Sequence, residues 1–246
     1  MFQAIVYHLI ENPKKCMSLQ EKRMFVSRKR FTSHLKTLQK HGYTFLTLKE
    51  AEERLLEKVA SSSKEVLITF DDGYVNTVDV AMPILKREGI PATMAICGSY
   101  LLPETRKNID MHIDKNFADV EGIKKWIDNG NSILAHTYSH FKLTRLTLDK
   151  CEQEVILDLK TIKKYLDIKP EGIVYPYGSV NDEVISVIKR YFKYAFATNI
   201  GKEISKNNKY CLKRICVESN CSDEKLIEML YLNGNGDKNE NSNVLA

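Results

Sequence analysis

Short apolar runs alternate with amphipathic stretches along most of the chain. Residues 2–7, 43–46, 66–70, 92–96, 132–135, 172–175, 194–197 and 212–217 each read as a brief buried strand. Between them, apolar residues recur at helical spacing. Phe31, Leu35 and Leu38 predict a helix over about 30–41, closed by Gly42. Thr47 and Glu50 form a capping-box pair that opens a helix running to about residue 59. Val80, Ile84 and Leu85 mark a helix over 76–88, stopped by Gly89. Further helices are predicted over 120–128, 147–166, 181–191 and 222–232. In the long one, Val155, Leu159, Ile162 and Leu166 share a face. Strand and helix thus alternate about seven times, which predicts a parallel sheet with covering helices. A closed or nearly closed barrel fits that count, and an open doubly wound sheet is the alternative. In a barrel, chemistry gathers at the carboxyl ends of the strands.

The intervening segments differ in character. Residues 11–30 are polar and basic (Lys14, Lys15, Lys22, Arg23, Arg28, Lys29, Arg30) and read as a solvated loop, or as a contact for an anionic ligand such as a lipid-linked sugar phosphate. Residues 97–118 are irregular and predict a long loop over one end of the fold. Residues 1–232 are expected to form one domain, and the Asn- and Gly-rich stretch 233–246 a disordered tail.

At 246 residues the chain can bury a sizeable core, and its apolar and charged fractions are ordinary. A net charge of +5 does not point to nucleic acid. No stretch is long and apolar enough to span a membrane. The first residues lack the basic leader and apolar run of a signal peptide. The 6 cysteines (16, 97, 151, 211, 216, 221) are scattered and contain no Cys-x-x-Cys pair. They read as thiols of a reducing compartment, so a cytoplasmic protein is expected. Oligomeric state leaves no mark.

The run 66–70 breaks abruptly into Asp71, Asp72 and Gly73. Two acids at the tip of a buried strand need compensation, and a metal cation supplies it. An Asp-Gly turn beside a solvated acid is the plainer alternative. The run 132–135 leads into His136-Thr137-Tyr138-Ser139-His140. Imidazole is the commonest metal ligand, and one Asp with two His leaves room for water in an open catalytic site. A third strand, 172–175, ends in Pro176, Tyr177 and Gly178.

These three stretches, in this order, resemble the polysaccharide deacetylases (carbohydrate esterase family four, with a NodB-like domain). The family's Thr-Phe-Asp-Asp-Gly stands at 69–73 and its His-Ser/Thr-x-x-His at 136–140. Its Arg-x-Pro-Tyr-Gly is partly present at 174–178, with Val174 in place of the arginine. The resemblance covers about residues 5–217. It implies a distorted (β/α)7 barrel that removes the N-acetyl group from an acetylated amino sugar in a polymer, oligosaccharide or lipid-linked precursor. It implies that Asp72, His136 and His140 bind a divalent metal, most often zinc, although cobalt, nickel or manganese suits the same ligands. Asp71 would be the general base, and the backbone N–H of Tyr177, beside Pro176, would hold the oxyanion.

Two departures follow. The arginine that orients the base is absent at Val174, and Arg214 on the last strand can supply that charge from elsewhere, or form an ordinary salt bridge. The family's late histidine is also missing, since none follows His140. His8, ending the first strand, is expected to serve as the general acid, as in family members with a rearranged motif order. Thr137 can brace the histidine turn through its hydroxyl. His34 and His41, on a basic helix, are expected at the surface. Asp110 and His112 fall in the long loop. Three alternatives stay open: an iron oxygenase with the same three ligands, an amidohydrolase of cyclic ureides or other non-sugar amides, and a non-catalytic sugar-binding module.

Overall fold

The structure, a computed structural model, describes residues 1–11, 19–56, 58–106, 116–198 and 208–235. Seven strands carry the fold: β1 (Gln3–Tyr7), β2 (Glu65–Phe70), β3 (Thr93–Ile96), β4 (Ser132–Ala135), β5 (Gly172–Val174), β6 (Tyr194–Ala197) and β7 (Leu212–Cys216). All their ladders are parallel. Each of β2 to β6 pairs with the next in sequence, and β1 pairs with both β2 and β7. Those two pairings close the ring. The expected seven-stranded barrel is therefore present, and the open doubly wound sheet is not. Thr44–Phe45, expected as a strand of its own, adds to the start of β2 on the edge that β3 continues.

The helices pack outside the ring: α1 (Arg28–Lys40), α2 (Leu48–Leu55), α3 (Met82–Glu88), α4 (Val120–Asp128), α5 (Leu148–Leu166), α6 (Asp182–Ile188) and α7 (Asp223–Asn235). Side-chain alternation divides the core into two shells. Ala4, Leu67, Ala95, Leu134, Val174, Phe196 and Leu212 fill the barrel interior. The alternate residues Ile5, Ile68, Met94, Ile133, Ile173, Ala195 and Ile215 lie in the shell between sheet and helices. The inward parity runs on past each strand. Val6 leads to His8, Leu67 and Thr69 to Asp71, Leu134 to His136, and Leu212 to Arg214. The interior pattern thus delivers four polar side chains to one end of an apolar barrel.

Three expectations need correction. His34 is fully buried, because it lies on the inward stripe of α1 between Phe31 and Leu38. Its Nε2–H donates to the Cys221 carbonyl (3.0 Å), and its Nδ1 accepts from the Tyr7 hydroxyl (3.1 Å). His41 is exposed, as expected. The basic stretch before α1 is not wholly a solvated loop. Leu19–Met24 is helical, and Phe25–Val26 pairs with Leu9–Ile10 in a small parallel sheet that buries Val26, Leu9 and Ile10. Lys14 and Lys15 lie outside the described residues. In the long loop, Gly98–Tyr100 and Pro103–Arg106 form single turns, and residues 107–115, with Asp110 and His112, lie outside the described residues. The last helix runs to Asn235, three residues beyond the expected end, and 236–246 lie outside the described residues.

Close approach requires a glycine at the start of β5. A Cβ built on Gly172, at the start of β5, would sit 2.1 Å from Cε2 of Tyr194. That ring is buried, and its hydroxyl donates to Glu52 (2.6 Å), so it cannot swing clear. Gly172→Ala is expected to destabilise the fold by about 1–3 kcal/mol, the usual cost of overpacking, read as a lower urea midpoint at unchanged slope.

Candidate active site

The chain leaves β2 through Asp71 and then turns sharply. Asp72 and Gly73 both take left-handed backbone conformations, with φ of 71° and 76°. The Asp71 N–H donates to the Tyr7 carbonyl (3.1 Å), which continues the β1–β2 ladder by one residue and fixes the Asp71 side chain inward. There it meets Arg214 from β7. Nη1 donates to Oδ1 and Nη2 to Oδ2 of the carboxylate, each at 2.7 Å, and Nη1 also donates to Thr69 Oγ1 at 3.1 Å. Arg214 is 1% exposed and Asp71 3%. Burial pushes the Asp71 carboxyl upward, but the guanidinium outweighs it and holds the pKa below the ordinary value. His8 Nε2 stands 3.9 Å from Asp71 Oδ2 and is partly exposed to the barrel mouth.

Asp72 faces the two histidines. Its Oδ1 lies 3.3 Å from His136 Nε2 and 3.1 Å from His140 Nε2, and one ligand atom from each of the three residues lies within 4.8 Å of the others. All three are buried. The His136 Nδ1 donates to the Val174 carbonyl at 2.8 Å. A carbonyl can only accept, so Nδ1 carries a proton and Nε2 is the ring atom turned toward Asp72. Asp72 Oδ1 receives no hydrogen bond of good geometry. Burial pushes Asp72 upward, but the two imidazoles reverse this and hold it well below the usual carboxylate range. Burial pushes His136 down, and Asp72 and Asp71 reverse that shift upward. The trio therefore attracts positive charge. An unsatisfied buried carboxylate oxygen beside two buried imidazoles, one of them oriented by the Val174 carbonyl, is a donor set that fits a divalent cation such as zinc.

The histidine turn is held from behind by α5. Asp158, fully buried, accepts from the Gly98 N–H (2.7 Å) through Oδ1 and from the His136 N–H (3.2 Å) through Oδ2. One helical turn earlier, Glu154 accepts from the Ser139 N–H at 2.7 Å. The Thr137 hydroxyl accepts from the His140 N–H at 3.2 Å, so the expected brace is present. Burial raises the Asp158 pKa to about 7, offset in part by these N–H groups. A Cβ on Gly98 would stand 2.9 Å from Asp158 Oδ1, so the close approach needs glycine. Thr137 and His140 adopt left-handed φ of 65° and 59°, and Tyr177 on the third turn adopts 60°. Non-glycine residues held in this region cost about 1–3 kcal/mol each and gather where function requires them.

The mouth thus brings together His8, Asp71, Asp72, His136, His140 and Arg214. Pro176 is buried, and the half-exposed Tyr177 ring lies 4.7 Å from the His140 ring. Glu154 and Asp158 escaped the sequence reading. Their signal was an acid at an inward position, because Asp158 shares the buried stripe of α5 with Val155 and Ile162.

Comparison with known proteins gives a consistent picture. A family model described as polysaccharide deacetylase matches residues 58–195. YxkH of Bacillus subtilis, whose name places it among polysaccharide deacetylases, is 31% identical over 198 residues, covering 80% of this chain and 67% of that protein. The poly-β-1,6-N-acetyl-D-glucosamine N-deacetylase of Staphylococcus aureus is 31% identical over 205 residues, covering 81% and 70%. Among solved structures, the Streptococcus pyogenes deacetylase PplD, in complex with acetate, superposes with a TM-score of 0.77 at 25% identity, covering 93% of this chain and 97% of that one.

Calorimetric titration of the metal-stripped protein with zinc is expected to show one site, which Asp72→Ala abolishes. Asp158→Ala is expected to weaken that site about 10–100-fold, the usual effect of losing a residue that orients a ligand. Unchanged affinity in Asp158→Ala would show that the histidine turn holds its shape without α5.

Proposed function

Because the chain belongs to the polysaccharide deacetylase family, we propose that it is a metal-dependent hydrolase that removes the N-acetyl group from an acetylated amino sugar and releases acetate. The observation that carries this reading is the pairing, at one barrel mouth, of the Asp72–His136–His140 donor set with the buried Asp71–Arg214 pair. Asp72, His136 and His140 hold the ion, with zinc the first choice and cobalt, nickel or manganese compatible. When bound, such an ion polarises a carbonyl and acidifies water.

The chain's own residues do the rest. Asp71, kept ionised by Arg214, takes a proton from the water that attacks the amide carbonyl. Arg214 uses both carboxylate oxygens, so it fixes the plane in which Asp71 offers its remaining lone pairs. The Tyr177 N–H, set by a left-handed turn, donates to the carbonyl oxygen as negative charge develops there. The carbon–nitrogen bond breaks, acetate leaves, and the sugar amine takes a proton from His8, which lies beside Asp71 at the mouth. The Staphylococcus aureus relative is named for N-acetylglucosamine polymers, which makes N-acetylglucosamine oligomers and lipid-linked N-acetyl sugars the first substrates to try. No helix among the described residues is long and apolar enough to cross a membrane. The five cysteines of the described residues are unpaired, which fits the cytoplasm as the working location.

Acetate release from these substrates should require added metal and should fall about 10²–10⁴-fold in Asp71→Asn, the range for losing a general base. Arg214→Lys keeps the charge and loses the bidentate contact. The Asp71 pKa should then rise, so the acidic limb of kcat/KM against pH should move to higher pH. Release from cyclic ureides but from no acetylated sugar would overturn the reading.

A further inference from the structure

Beside His140 and Tyr177 lies a cleft of about 370 Å³, completed by Phe141, Lys142, Arg145 and Leu146. Its wall is built rather than loose. Leu143 is fully buried, and the Thr144 hydroxyl is bonded to the Ser179 hydroxyl just past the Tyr177 turn. The tight turn Leu143–Arg145 closes with the Arg145 N–H on the Lys142 carbonyl (2.9 Å). Lys142 and Arg145 flank Leu143 and Thr144, and both line the cleft. The lining holds these two cations and no acid. Neither cation joins an ion pair among the described residues, and Lys142 Nζ instead stands 5.0 Å from the centre of the Tyr177 ring. Phe141 and Tyr177 are 54% and 45% exposed in a chain that buries most of its aromatic rings.

Exposed aromatic faces beside the reacting centre suit the apolar faces of a pyranose ring. Two cations with no ion-pair partner among the described residues suit an anion and repel another cation. We propose that this cleft is a subsite for the sugar unit next to the reacting one, and that it selects a unit carrying a negative charge, a phosphate ester or a carboxylate, over one carrying a free amine. The inference rests on the deacetylase reading and adds a consequence. Each turnover leaves an ammonium group on the chain, so a unit beside an already deacetylated one is disfavoured, and the product pattern is scattered rather than contiguous.

The test uses disaccharides whose reacting unit is N-acetylglucosamine and whose second unit is neutral, phosphorylated, a uronic acid or free glucosamine, below the pKa of its amine. Acetate release gives kcat/KM, and calorimetry of the same series gives affinity without reference to turnover. The anionic substrates are expected to exceed the neutral one by about tenfold, and glucosamine to fall below it by a similar factor. The double variant Lys142→Glu/Arg145→Glu should reverse that order, a result that loss of folding cannot imitate. Preference for both anions assigns the selection to charge alone, and preference for the phosphate ester alone assigns it to a phosphate. Equal kcat/KM across the series overturns the proposal. If no substrate releases acetate, the deacetylase reading fails and affinity decides the cleft: tighter binding of the anionic sugars upholds the charge selection, and equal binding overturns it.

Discussion

Asp71 and Arg214 meet inside the barrel, away from water, and the site is arranged around that contact. An unpaired charge at either position would be costly, since breaking a buried pair commonly costs about 3–5 kcal/mol. The contact exists only because the sheet closes. Asp71 comes from the end of β2 and Arg214 from β7, and β1 lies between them with Ala4 in register with Arg214. A small residue there leaves the interior open for the guanidinium to reach across. The family pattern places an arginine at position 174, where this chain has valine. Here the Val174 side chain packs in the barrel interior, while its carbonyl sets the tautomer of His136. The two tasks near the base are divided between strands: charge from β7, and ligand orientation from the β5 backbone.

The second constraint is backbone shape. Asp72, Thr137, His140 and Tyr177 are four of the six non-glycine residues with positive φ among the described residues, and all four border the site. Such conformations persist only where the surroundings enforce them. For Thr137 and His140 the enforcing groups are visible: Asp158, Glu154 and the Thr137 hydroxyl itself. Buried carboxylates that satisfy backbone N–H groups stabilise one geometry of the turn. They do so at the cost of desolvating acids, which the raised pKa values of Asp158 and Glu154 record.

Strand parity, the helix stripes and the two acid and histidine motifs were legible in the sequence, because each repeats at a period of 2 or 3.6 or stands at a strand tip. Arg214 was legible as a charge on a buried strand, and the structure places it on Asp71. Two of the misses share a cause. His34 lies between Phe31 and Leu38 on the inward face of α1, and Asp158 lies between Val155 and Ile162 on that of α5. His34 was judged by its basic neighbours and Asp158 was passed over, although the position of each already placed it inside. The Phe25–Val26 strand was missed for another reason: two residues are too short to show a period. Residues 12–18 and 107–115 lie outside the described residues, so the expectations for Lys14, Lys15, Asp110 and His112 rest on sequence alone.

The most direct measurement is a double-mutant cycle on the buried pair, with Asp71→Asn and Arg214→Met made singly and together and unfolding followed in urea. Two residues coupled inside the barrel should give non-additive costs. Arg214→Met, which strands a buried carboxylate, should be less stable than the double variant, in which neither charge remains. Costs that simply add would contradict the account, because they would mean that Asp71 and Arg214 do not depend on one another in the folded protein.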